Sequence, residues 1–185
     1  MGKIITESGL DFGEFETENL FHIESSDLLK SLGQGVKTVE FITLQKKDNI
    51  IFLEAKTGCP NPKNKIKGGK EACNFHSFYN DIADKFIDSL QVYIAGILEN
   101  YKDNEEIGKN LLNIQPLRYK NLMFVLVITA DEILEDWLQG PKLELEDRLK
   151  HLMKIWNIQI VVLNKNLAVQ YGLVAETKGT DNEKI

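Results

Sequence analysis

The stretch VEFITLQKKDNIIFLEAKTGCPNP, residues 39–62, decides how this chain is read. On either side of the polar run KKDN lie Val36–Gln45 and Ile50–Thr57, both rich in the β-branched and aromatic side chains that fit a pleated surface, so the stretch predicts a β-hairpin. Gly58 and the Pro60-Asn61-Pro62 step end the second strand, because proline cannot donate to a ladder and the residue before it avoids helical backbone. Glu40, Glu54 and Lys56 interrupt these otherwise apolar strands, and a buried charge needs a partner or a metal. Side chains alternate along a strand, which puts Glu54 and Lys56 on one face and Ala55 on the other. A three-residue turn on Lys46, Lys47 and Asp48 would set Glu40 opposite Glu54. A turn of two or four residues would send Glu40 to the other face unless a bulge corrected it. The turn residues leave the register open.

Working outward, Leu20–Ile23 reads as a short extended piece, and Ser25 or Ser26 as the N-cap of a short helix through Leu28, Leu29 and Leu32 that stops at Gly33. C-terminal to the hairpin, Phe75, Phe78, Tyr79, Ile82, Phe86, Leu90, Ile94, Ile97, Leu98 and Tyr101 recur at three- and four-residue steps, predicting one long amphipathic helix from about Glu71 to Tyr101. Residues 104–118 read as a polar connection. NLMFVLVIT, residues 121–129, is a strand covered on both faces, and IQIVVL, residues 158–163, is another. Gly140-Pro141 predicts a break before a helix from about Leu143 to Trp156, and a last short helix from Asn164 to Tyr171 closes at Gly172. The expected architecture is therefore α/β: a mixed β-sheet sandwiched by helices, in a single domain spanning residues 1–185. Residues 1–18 and 176–185, polar and without apolar periodicity, are expected to be loosely ordered.

Composition narrows the functional classes. The 185 residues are 43% hydrophobic and carry a formal net charge of −6, which excludes a protein that coats nucleic acid over its whole surface and makes any such contact local. The one strongly positive stretch is KTGCPNPKNKIKGGK, residues 56–70, in which Lys56, Lys63, Lys65, Lys67 and Lys70 occur without an acidic residue. No apolar run is long enough to span a membrane, the opening residues do not form a signal peptide, and the cysteines Cys59 and Cys73 lack CxxC spacing, so a cytoplasmic protein with reduced thiols is expected. Cys59, Cys73 and His76 have ligand-like local spacing, but a structural zinc needs a fourth ligand that no convincing spacing supplies. GxxxxGK[ST], GxGxxG and GxSxG are all lacking, which argues against the common nucleotide-binding and α/β-hydrolase readings.

Two carboxylates and a lysine on adjacent strands make a hard-cation site in outline: Glu40 and Glu54, with the Ala55 carbonyl and water, would hold Mg²⁺ or Mn²⁺, and Lys56 would orient or deprotonate an attacking water. At these residues the sequence resembles the PD-(D/E)xK nuclease superfamily, in which an acidic residue on one strand precedes (D/E)-x-K on the next. Glu40 takes the first position and Glu54-Ala55-Lys56 the second. Glu40 stands where aspartate is usual, and Val39 where proline is usual. The same hairpin stretch, with KFIDSL, FVLVI and VVLNKNLAVQYGL further on, is similar to a group of uncharacterised bacterial proteins assigned to that superfamily. The resemblance covers roughly residues 20–163 and implies a restriction-endonuclease-like (αβββαβ) core. It further implies metal-dependent hydrolysis of DNA phosphodiester bonds and a glutamate from the first helix, for which Glu24 is the candidate, with Glu18 behind it.

Lys63, Lys65, Lys67 and Lys70 would guide a DNA backbone toward the carboxylates. A catalytically inactive nuclease-fold module, binding nucleic acid or a protein partner, is the alternative. The long helix, at about 45 Å, exceeds what a small sheet needs, so a homodimer packed through it is expected.

Overall fold

A computed structural model describes residues 2–46, 48–61, 65, 69–98, 105–113, 121–130 and 133–175. Strands β1 (Gly2–Glu7) and β2 (Leu10–Glu16) form an antiparallel hairpin, followed by β3 (Leu20–Phe21), helix α1 (Asp27–Ser31), β4 (Phe41–Gln45), β5 (Asn49–Lys56), the long helix α2 (Gly69–Ile97), a single turn α3 (Lys109–Leu112), β6 (Asn121–Ile128), α4 (Glu135–Trp156), β7 (Gln159–Asn164) and α5 (Lys165–Gln170). The main sheet has the order β3-β4-β5-β6-β7, antiparallel from β3 to β5 and parallel from β5 to β7. The parallel pairs are bought with the two crossover connections that carry α2 and α4, as parallel geometry requires. No helix among the described residues is long and apolar enough to cross a membrane.

Alternation along β5 divides the core into two layers. Ile50 and Phe52 pack beneath α2 and α4 with Phe86, Tyr93 and Phe124. Ile51, Leu53 and Ala55 face the other way, against Ile5, Leu10, Phe12 and Phe15 of the β1–β2 hairpin and Ala168 of α5. The sheet is thus covered by helices on one face and by a second, two-stranded sheet with one short helix on the other, where helices on both faces had been expected. Phe86 of α2 stacks on Phe124 at 4.6 Å and 5°, and Phe52 meets Phe124 edge-on at 5.2 Å, fixing the helix over the centre of the sheet.

The N-terminal hairpin replaces the loosely ordered residues 1–18 of the sequence reading. Ser8 and Gly9 both have positive φ, 48° and 78°, the turn that matches strand twist, and Glu7 pairs with Leu10 across it. One edge of the hairpin is secured by an isolated bridge from Phe12 to Val174 and by Gly13 N–H donating to Leu173 O at 3.2 Å. Residues 176–185 lie outside the described residues, as do 99–104 at the expected end of the long helix.

Two further boundaries differ for identifiable reasons. The first hairpin strand starts at Phe41 rather than Val36, because Val39 N–H donates to Ser89 Oγ of α2 at 2.8 Å and Lys37 N–H to Asp88, taking these donors away from the ladder. Gly140-Pro141 does not break α4. Pro141 is interior to the helix, where it forfeits one backbone hydrogen bond, but Leu138, Pro141, Leu145 and Leu149 form one buried stripe whose packing outweighs the loss. Ser26 is the cap of α1, accepting Leu29 N–H at 3.0 Å, and the Glu106 carboxylate accepts the next free amides, Asp27 N–H and Leu28 N–H. Ser26→Ala is expected to cost about 1 kcal/mol, measured as a lower urea midpoint at unchanged m-value; an unchanged midpoint would mean that Glu106 alone suffices.

Candidate functional site

The hairpin register answers the question the turn residues left open. Gln45 pairs with Asn49 and Phe41 with Leu53, a three-residue connection, and the paired register ends there, one residue short of Glu40. Glu40 N–H donates to Leu53 O at 3.1 Å, so Glu40 stands beside the residue that Phe41 pairs with, in a bend at the end of the ladder. Lys85 of α2 lies 2.8 Å from Glu54 and its charge also acts on Glu40, so Glu40, Glu54 and Lys56 gather under α2, while Ala55 packs in the opposite layer.

Glu54 is 0% exposed and its Oε1 receives two ammonium groups: Lys56 Nζ at 2.7 Å from its own strand and Lys85 Nζ at 2.8 Å from α2. Burial holds the Glu54 carboxyl above the ordinary carboxylate range, and the two lysines oppose that rise. Burial also works to lower Lys85, but Glu54 first, then Glu40 and Glu24, hold its ammonium above the ordinary lysine value. Glu54 is thus a charge-paired anchor held by ion pairs at Oε1, with neither oxygen accepting a well-aligned hydrogen bond among the described residues.

A different set of carboxylates lies close enough together to share a cation. Oxygens of Glu7, Glu24 and Glu40, one from each, all lie within 4.8 Å of one another. Glu24 sits in the 3₁₀ turn Ile23–Ser25 just before the Ser26 cap, its N–H donating to Glu40 O at 3.4 Å, and Lys85 Nζ approaches its carboxylate at 3.8 Å. Glu40 is 5% exposed. Burial, then the hydrogen bond it shares with Glu24 and the negative charges of Glu54 and Glu24, push its carboxyl up to about 9. Glu7 is raised too, by burial and then by Glu24 and Glu54. Three carboxylate oxygens this close together could hold a metal ion, and an all-oxygen donor set is of the kind that hard cations take. The buried, unpartnered Glu40 Oε2 fits the same group.

The structure brings Glu40, Glu54, Lys56 and Glu24 close together and places two further residues, Lys85 and Glu7, beside them. The Ala55 carbonyl, a predicted ligand, accepts the Ser8 hydroxyl at 3.0 Å. Lys85 was legible as a cation at helical spacing within the buried stripe Ile82, Phe86, Ser89. Glu7 was hidden in the acidic N-terminal segment, where the Ser8-Gly9 turn dipeptide between apolar positions was the available signal. Glu18, the reserve candidate, pairs with Lys109.

Of the loop lysines, Lys63 and Lys67 lie outside the described residues. Lys65 spends its charge on Glu144 at 2.7 Å, and Lys70 is exposed in the first turn of α2. The candidate zinc residues have other partners: Cys59 Sγ meets the Tyr79 hydroxyl at 2.9 Å and His76 Nδ1 meets Arg148 at 3.2 Å, while Cys73 is exposed. On the exposed side of α2, Ile87, Ile94 and Leu98 line an apolar groove with Leu152 and Trp156 of α4. Comparison of the chain with protein-family models, with curated proteins and with solved structures gives no match in any of the three.

Proposed function

We propose that this protein is a metal-dependent hydrolase of DNA phosphodiester bonds, built on a restriction-endonuclease-like (αβββαβ) core in which β4, β5, α2 and β6 carry and cover the site. The observation that supports this reading is the gathering of Glu40, Glu54 and Lys56 under α2, with Lys56 Nζ 2.7 Å and Lys85 Nζ 2.8 Å from Glu54. Glu40 and Glu24 are the residues that would hold Mg²⁺ or Mn²⁺. When bound, such an ion lowers the pKa of a coordinated water and neutralises charge developing on the phosphate.

The chain's own residues supply the rest. Glu54 is fixed by Lys85 from the helix, so it in turn fixes Lys56. Lys56, 30% exposed at the end of β5, presents its remaining ammonium protons to the solvent side, where it can orient a water for in-line attack and hold negative charge on the phosphoryl oxygens. Lys70, and Lys63 and Lys67 in the segment before it, are the residues that would steer the DNA backbone, with Lys65 contributing less because Glu144 already compensates it.

Incubation of plasmid and single-stranded DNA with Mg²⁺ or Mn²⁺ should give cleavage, and Lys56→Ala should reduce it by roughly two orders of magnitude or more. No cleavage, or cleavage indifferent to Lys56→Ala, would overturn the assignment. One observation favours the second reading, a non-catalytic module of the same fold: Glu54 is fully supplied with cations by its own chain. That module would show DNA or protein binding with no cleavage in either metal.

A further inference from the structure

Glu7 reaches the carboxylate cluster from outside the core that the hydrolase reading needs. It is the last residue of β1, one position before the hairpin turn, and that turn is held against the ends of two central strands: the Ser8 hydroxyl donates to Ala55 O at 3.0 Å, and the Thr129 hydroxyl donates to Ser8 O at 2.7 Å. The tip of the hairpin therefore lies over the C-terminal ends of β5 and β6, beside Glu54 and Lys56. Its position brings a Glu7 oxygen within 4.8 Å of oxygens on both Glu24 and Glu40.

Proximity of acidic groups is not by itself a site, but Glu40 adds an independent mark. Its side chain is 5% exposed, its carboxylate is one of the three, and its Oε2 finds no hydrogen-bond partner among the described residues. A buried carboxylate oxygen left in this condition is costly unless a cation takes it up. Charge points the same way. Glu7, Glu24, Glu40 and Glu54 stand against Lys56 and Lys85, four carboxylates facing two ammonium groups, so the ionised cluster lacks two positive charges, the charge of one divalent cation. Lys56 pairs with Glu54, and Lys85 is shared between Glu54 at 2.8 Å and Glu24 at 3.8 Å, so most of the deficit falls on Glu7, Glu24 and Glu40. Carboxylate oxygens without sulfur or imidazole select a hard ion of the Mg²⁺, Mn²⁺ or Ca²⁺ kind.

We infer that Glu7, Glu24 and Glu40 together bind one divalent cation, with Glu7 supplied by the N-terminal hairpin, so that uptake of the ion clamps the hairpin onto the end of the main sheet. Glu54 is then a positioning residue for Lys56 and Lys85 rather than a ligand. The inference deepens the metal-dependent reading above and rests on it for the identity of the ion. The hairpin is already packed on the sheet through Ile5, Leu10, Phe12 and Phe15, so the ion would add a second hold at its tip.

The test uses the full chain and Mn²⁺ alone, read by titration calorimetry and by hydrogen exchange of the amides in residues 2–16. The wild type should take up one Mn²⁺ and show slowed exchange across the hairpin. Glu7→Gln, a partly exposed position where the fold should persist, should weaken uptake roughly tenfold or more and abolish the slowing, while Glu14→Gln, an exposed charge elsewhere on the hairpin, should behave as wild type. If Glu7→Gln binds Mn²⁺ as tightly as wild type with the same protection, the hairpin ligand is overturned, even where DNA cleavage continues and the hydrolase reading stands. Mn²⁺ uptake that depends on Glu7 in a protein that cleaves no DNA removes the hydrolase and keeps the site. A wild type that takes up no Mn²⁺ overturns both.

Discussion

Lys85→Met is expected to destabilise the protein by on the order of 3 kcal/mol, because breaking one side of a buried ion pair leaves its partner's charge uncompensated in a poor solvent. Glu54 is fully buried and loses one of two ammonium groups, and Lys56, more exposed, cannot close the space from α2. The double variant Glu54→Leu/Lys85→Met should recover much of that loss, since an apolar pair of similar volume needs no desolvation of charge. Urea unfolding of the four corners of the cycle measures the coupling. If the double variant is as unstable as the sum of the two single ones, Glu54 and Lys85 do not act as a pair, and the rigidity attributed to Lys56 has another source.

Without divalent cation, stability is expected to fall as pH rises across the neutral range. Glu40 titrates near 9 in the folded protein against an ordinary 4.5. A carboxyl that holds its proton more tightly when folded contributes stability that is complete below its unfolded pKa and is lost as pH climbs through the folded one. Glu7 and Glu54 are raised in the same direction, while Lys85, raised above the ordinary 10.5, keeps its contribution throughout this window. At about 1.4 kcal/mol per pKa unit, raising the pH from about 5 to about 8 should remove on the order of 3 kcal/mol. Glu40→Gln keeps the shape and cannot ionise, so it should flatten the profile and be more stable than wild type at the higher pH. Urea midpoints in the presence of a chelator check this; a wild-type midpoint that does not fall over the interval would show that Glu40 is ionised at little cost.

The two-stranded core of the site was legible because strands obey a strict period. Once Gln45 and Asn49 are seen to pair, the shared facing of Glu54 and Lys56 follows, with Glu40 one residue beyond the last pair. The register itself was not legible, since Lys46 adopts a positive φ of 50° that its side chain does nothing to announce. Long-range contributions were harder still. The spacing of Lys85 sets it beside the buried stripe of α2 but names no partner until α2 is laid over β5, and Glu7 looks like part of a solvated segment until the hairpin finds Ala55 and Thr129. The helical layer over the second face was mispredicted for a related reason: apolar runs in β5 and β6 say that both faces are covered but not by what.

The bridge from Phe12 to Val174 and the bond from Ala175 N–H to Asp11 O join the earliest described strands to the last described residues. In chain order the hairpin precedes the main sheet, yet one of its edges is met by residues 173–175, more than 150 positions further on, a contact of long sequence separation that closes slowly. The tip beside Glu7 is held sooner, by Ala55 and Thr129. A chain cut before Leu173 would therefore keep the tip contacts and lose the edge, leaving the carboxylate of Glu7 on a hairpin anchored at one end only.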